Sequence, residues 1–238
     1  MKKLFVITLL AINFSLTSSY AQSPQKFIAD TNTFLNTYVA GGKVDYKAIK
    51  NNATSLTNLL KEAKNVRVST SQKGDYQAFW INAYNISVIK GIVDNYPIKS
   101  PLDKKGFFDK IKYELGGTST TLNDIENKLL RAKFPMEARF HFVLVCAGLG
   151  CPPIINEAYT PDKLEAQLQR QTVIALNNPA FIKVKGKKVQ LSQIFEWYKG
   201  DFTHDGNEID YINKFRKEPI ASGSKIGYYE YDWRLNSK

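Results

Sequence analysis

The chain has 238 residues, 33 Lys or Arg against 22 Asp or Glu, a formal net charge of +11, and 43% hydrophobic and 13% aromatic residues. That composition excludes a disordered chain and is enough for a substantial core in one domain. The basic residues are scattered. Their densest cluster, Val184-Lys185-Gly186-Lys187-Lys188-Val189, reads as a hairpin with a basic tip, and no recognition motif accompanies it, so no nucleic-acid partner is expected.

Residues 1–21 read as a signal peptide. Lys2 and Lys3 precede an apolar run from Leu4 to Phe14, and Ser19-Tyr20-Ala21 places small residues at the two positions a signal peptidase reads. The run is shorter than the about 20 apolar residues of a membrane-spanning helix, and no later segment reaches that length, so no integral membrane segment is expected. With no cysteine near the cleavage site, a lipid anchor has nothing to attach to. The expected product is one globular domain over 22–238, outside the cytoplasm, periplasmic or secreted.

Residues 24–40 carry Phe27, Phe34, Leu35 and Tyr38 at helical spacing, ended by Gly41-Gly42. After a short extended piece at Val44-Asp45-Tyr46, residues 46–65 predict a second helix. Residues 74–95 predict the strongest one, with Asp75 as N-cap and Tyr96-Pro97 as its end. Its apolar stripe carries two amides, Asn82 and Asn85. Either they lock neighbouring backbone, or one points into a cleft and stabilises an oxyanion.

Residues 98–110 predict a loop anchored by Phe107 and Phe108. Lys112–Leu115 and Ser119–Leu122 around Gly116-Gly117 predict a hairpin. Thr121 or Asn123 then caps a helix to about Ala132 that holds Glu126 and Arg131. Residues 139–146 predict a central strand, apolar on both faces. Thr160-Pro161 starts another helix, Lys183–Leu191 form a hairpin, and Ser192 caps a helix through Trp197 to Gly200. Residues 207–215 are helical, and the aromatic tail Tyr228–Trp233 packs back on the body. These elements describe an α+β fold, a helix-rich single domain around a small, mostly antiparallel sheet.

The chemistry concentrates in Arg139–Pro153, which holds both cysteines, Cys146 and Cys151, and one of the two histidines, His141. A thiol nucleophile needs a base, most often histidine, and a third group that orients the base. Glu126, one helix earlier, is the orienting candidate. On a regular strand the side chains of 141 and 146 face opposite sides, so Cys151, past the Ala147–Gly150 turn, is preferred as nucleophile. The competing reading is a Cys146–Cys151 disulfide, which the two intervening glycines permit. Metal binding is not expected, because Cys-x4-Cys is looser than a zinc clip and the oxygen-rich Asp201–Glu208 loop with His204 lacks the calcium-loop pattern. No cofactor fingerprint is present.

Four segments together resemble the domain of unknown function 547 family. They are Ala78-Phe-Trp-Ile-Asn-Ala-Tyr-Asn85, Thr121-Leu-Asn-Asp-Ile-Glu-Asn-Lys-Leu-Leu-Arg131, Arg139–Pro153 and Phe195-Glu-Trp-Tyr-Lys-Gly-Asp-Phe202. The resemblance implies no reaction or substrate. It marks Asn82, Asn85, Glu126, Arg131, His141, Cys146, Cys151, Trp197 and Asp201 as positions that matter. A set of cysteine, histidine, acid and amide is similar in parts to a papain or transglutaminase site.

Two functions follow. One is an exported cysteine hydrolase or acyl transferase acting on amide or ester bonds. In it Cys151 attacks, His141 serves as base and then acid, Glu126 orients it, and Asn82 or Asn85 assists the oxyanion. The other is a non-catalytic binding domain built around the disulfide. Its ligand, a small molecule, peptide or envelope component, would sit in a cleft lined by Trp80, Tyr84, Trp197 and Tyr198, with Arg131 and Asp201 as polar contacts.

Overall fold

The computed structural model describes residues 22–238, so the predicted leader at 1–21 lies outside the described residues. Helix α1 (Gln25–Tyr38) buries Phe27, Ile28, Phe34 and Leu35. Gly41 and Gly42, both at positive φ, turn the chain between two-residue strands β1 (Val39–Ala40) and β2 (Lys43–Val44). The helix expected over 46–65 is two. Asp45 accepts from the Ala48 N–H at 2.9 Å and caps α2 (Tyr46–Asn51), and α3 (Thr54–Asn65) follows a break at Asn52-Ala53.

Helix α4 (Lys73–Asn95) is the axis of the fold. Seventeen consecutive or near-consecutive positions from Tyr76 to Val93 are buried, so it is covered on all sides. Asp75 is not its cap: Gln72 precedes the first turn, and Asp75 sits within it, accepting from Gln25 Nε2 at 3.0 Å. Strands β3 (Tyr113–Leu115) and β4 (Thr118–Thr120) form the predicted hairpin. Thr121 caps α5 (Leu122–Asp124) by accepting from the Asp124 N–H, and the helix then widens to π winding over Ile125–Arg131. The Ala132 N–H donating to Asn127 O at 3.1 Å is one of the i to i−5 bonds of that winding.

The expected strand at 139–146 does not form. Ala138–Phe142 is a 3₁₀ turn, Val143 continues it as a turn, and residues 144–146 have no strand partner. Asn85 on α4 replaces that partner: its Nδ2 donates to Val143 O at 2.9 Å and its Oδ1 accepts from the Val145 N–H at 2.9 Å. The segment is apolar on both faces because it is buried between α4 and the C-terminal half, a burial that a central strand and a helix-pinned loop share. With no regular strand, the alternation that set His141 against Cys146 does not operate.

Helix α6 (Leu164–Asn177) starts three residues later than Thr160-Pro161, with Lys163 at its cap position. Strands β5 (Ile182–Lys185) and β6 (Lys188–Ser192) form the predicted antiparallel hairpin. Ser192 caps α7 (Gln193–Trp197), and a break at Tyr198 separates α8 (Lys199–Phe202) from it. Helix α9 (Glu208–Asn213) is capped by Asn207. Strand β7 (Lys225–Tyr229) lies parallel to β6, and the other strand pairs are antiparallel. The result is the expected helix-rich α+β domain.

Two apolar clusters fill it. One gathers α1 to α4 with Phe140, Val143, Leu144 and Val145; the other gathers Phe142, β5, β6, Phe195, Phe202 and Tyr231. Cys151 packs against both. No described helix is long and apolar enough to cross a membrane.

Candidate active site

A cavity of about 270 Å³ opens at the seam between the two clusters. Cys146, Cys151, His141, Glu126, Tyr84, Trp197 and Tyr198, expected from sequence, line it together with Tyr231 and Trp233.

The cysteines sit on a loop that the C-terminal tail straps down. Leu149 N donates to Arg234 O at 2.8 Å, Gly150 N to Asp232 O at 2.8 Å, and Asn236 N to Ala147 O at 2.9 Å. Ala147 is held at φ 66°, a left-handed conformation that costs a non-glycine residue about 1–3 kcal/mol. Gly150 has no room for a side chain, because a Cβ there would lie 2.9 Å from Asp232 N and from the Tyr231 ring. The strap also reaches α2, where the Tyr46 hydroxyl donates to Asn236 Oδ1 at 2.7 Å.

Both cysteines are free thiols in this structure. The Tyr231 hydroxyl bridges them, 2.9 Å from Cys146 Sγ and 2.8 Å from Cys151 Sγ, and the Cys146 N–H donates to Cys151 Sγ at 3.0 Å. Burial pushes the Cys146 thiol up, but hydrogen bonds from Cys151, Tyr231 and the Gly148 backbone outweigh it, and the thiol is held below its ordinary value. Burial, and then the neighbouring Cys146, push Cys151 well up. Of the two sulfurs, Cys146 is therefore the one that ionises more readily. This differs from the sequence-based preference for Cys151, which rested on strand alternation.

His141 is buried, and its Nε2 lies 2.7 Å from Asp201 Oδ2. Its Nδ1 lies 3.8 Å from Glu126 Oε1, beyond hydrogen-bond length. The orienting carboxylate is thus Asp201 from α8, placed 60 residues downstream, and not Glu126. Arg131 fixes Asp201 in turn, with Nε at 2.6 Å from Oδ2 and Nη2 at 2.8 Å from Oδ1, while its Nη1 bonds to Asn127. Asn127 and Arg131 both lie on the π-wound segment. Despite burial, the His141 and Arg131 bonds hold the Asp201 carboxyl well below the usual carboxylate range. Arg131 and Asp201, expected as substrate contacts, pair with each other beside the imidazole, and neither lines this cavity. Tyr198 packs on the imidazole, ring centroids 4.1 Å apart, and the Arg131 guanidinium lies 4.7 Å from the same ring centre. Burial, and then Glu126, raise the Tyr84 and Tyr198 phenols, which stay neutral.

Three expected residues stand apart. Asn82 Nδ2 donates to Ala78 O at 2.9 Å and Tyr159 O at 2.7 Å, and its Oδ1 accepts from the Tyr159 N–H at 3.0 Å. Asn85 is spent on Val143 and Val145, as described. Neither amide lines the cavity. Trp80 is buried in the α4 core beside Phe79 and Tyr76. Tyr231 is a site residue that sequence spacing does not reveal. Its only trace is the aromatic tail expected to pack back.

Residues 68–174 match the family described as "Protein of unknown function, DUF547". The match covers α4, the π-wound helix and the cysteine loop, and stops before Trp197, Asp201 and Tyr231. No curated protein and no solved structure matches the chain.

Proposed function

From a chain that belongs to the DUF547 family over residues 68–174, we propose a cysteine-dependent hydrolase or acyl transferase that acts on amide or ester bonds. One observation carries this reading. His141 is oriented through Nε2 by Asp201, while its Nδ1 is unbonded on a cavity wall shared with two free sulfurs. That is the base-and-orienter half of a thiol triad, with the third member at hand. No hydrogen bond joins the imidazole to either sulfur. Such contacts are often long before substrate binds.

In the proposed reaction the Cys146 thiolate attacks the carbonyl carbon and expels the amine or alcohol, leaving a thioester. The thiol proton, accepted by His141, passes to the leaving group. Water, or an amine or alcohol acceptor, then attacks the thioester, gives its proton to the imidazole and frees Cys146. Cys151 and the Tyr231 hydroxyl hold the thiolate by hydrogen bonds. The arginine–aspartate pair keeps the imidazole in one orientation. The predicted leader supports an extracytoplasmic setting, with peptide or envelope material as the substrate source.

Thiol titration of the folded protein, with peptide mapping, tests the reading. One thiol should alkylate rapidly below about pH 7, at Cys146, and Cys146→Ser should remove that reaction while Cys151→Ser keeps it. A mature protein with no free thiol overturns the reading and leaves the alternative, a non-catalytic binding domain stapled by a Cys146–Cys151 disulfide.

A further inference from the structure

Glu126 is left over once the imidazole is assigned to Asp201. Its side chain is 14% exposed, and its only ion-pair neighbour among the described residues is His141 Nδ1 at 3.8 Å, too far for a hydrogen bond. The nearest arginine, Arg131, is committed to Asp201 and Asn127. The carboxylate nevertheless lines the cavity. A half-buried carboxylate with no cation in hydrogen-bond contact gains from a ligand that supplies one.

The rest of the wall suits such a ligand. Trp197, Tyr198, Tyr231, Trp233 and Phe108 surround the same space. Trp197 and Trp233 are stacked at 5.9 Å with 24° between their planes, and Tyr231 lies 4.6 Å from Trp233. Trp197 stays 46% exposed, an unusual cost for so large an apolar side chain unless something covers it. Aromatic walls attract organic cations through the ring quadrupole, most strongly where water is excluded. They do not favour carboxylates or phosphates. The protein as a whole is basic, at +11, so an anionic wall group at its cavity runs against the general charge.

We propose that this cavity binds an organic ammonium group, a primary amine on an aliphatic stem, with the ammonium on Glu126 and the stem against Trp197 and Trp233. Within the thiol chemistry proposed above, that group is the amine flank of the substrate or the amine acceptor. The cation site itself requires no reaction at sulfur, so the two readings fail separately.

Tryptophan fluorescence titration of the full chain with n-butylammonium, 1-butanol and butyrate reads the site directly. Butylammonium should saturate at roughly tenfold lower concentration than butanol, and butyrate should bind more weakly than either. Glu126→Gln should erase the preference for the cation over the alcohol, and Trp197→Ala, at an exposed position that leaves the core intact, should weaken both. Cys146→Ser should retain the preference, which separates this site from the thiol reaction. Equal binding of butylammonium and butanol, or a preference unchanged in Glu126→Gln with the thermal melt intact, would overturn the assignment.

Discussion

The amides of α4 are buried and the polar groups of the cavity wall are buried or half-buried, yet the fold treats them in opposite ways. Asn82 and Asn85 are spent on backbone: each bonds to it through both its nitrogen and its oxygen. Across the seam, Glu126 and the Nδ1 of His141 line the cavity 3.8 Å apart, too far for a hydrogen bond between them. Burial alone therefore does not mark a functional polar group. Contact with a cavity does.

Breaking the amide side should cost the most stability. Asn85→Ala strands the Val143 carbonyl and the Val145 N–H, and should lower unfolding free energy by roughly 2–4 kcal/mol in urea denaturation. In the folded fraction the alkylation rate of Cys146 should change little. A loss below about 1 kcal/mol would show that this segment holds itself.

Asp201→Asn stands between the two classes, because Asp201 is spent on structure yet serves the imidazole. The expected loss is about 2 kcal/mol at neutral pH. The sign with pH follows from its depressed folded pKa. The contribution is present above the unfolded carboxyl value of about 3.9 and disappears as pH falls below it toward the folded value. Acid titration of unfolding should therefore show a steeper loss below about pH 4 in the wild type than in the variant. Parallel curves would remove Asp201 from the ion network.

Tyr231→Phe sharpens the comparison on the cavity side. Loss of the hydroxyl removes one bond that lowers Cys146, so the midpoint of the alkylation rate against pH should move up, by about one unit. An unchanged or lower midpoint would place the thiolate elsewhere. The smallest effect on stability is expected for Glu126→Gln, within about 0.5 kcal/mol in thermal or urea unfolding. A loss as large as that of Asn85→Ala would mean that Glu126 is structural and that the two regions do not differ as described.

Local pattern carried much of this molecule. The spacing of Phe27, Phe34 and Leu35 describes α1, Gly116-Gly117 and Gly186 describe the hairpins, and Thr121, Ser192 and Asn207 cap the helices that follow them. These are short-range effects, settled by residues within a turn or two of each other. Clustering of His141, Cys146 and Cys151 within a dozen positions likewise pointed to the cavity. Pattern failed where the partner is distant. Residues 143–146 read as a strand because apolar character reports burial and not the identity of the covering group, here Asn85 on α4.

What the amino-acid sequence determined by itself is the set of local elements and the reactive segment, since capping, turn formation and amphipathic spacing act over a few residues. The tertiary structure alone decided which acid meets the imidazole, which sulfur ionises more readily and which amides are spent. Asp201 and Tyr231 reach the site from 60 and 80 residues away. Their contacts depend on how the C-terminal half packs across the seam, and no periodicity along the chain encodes that.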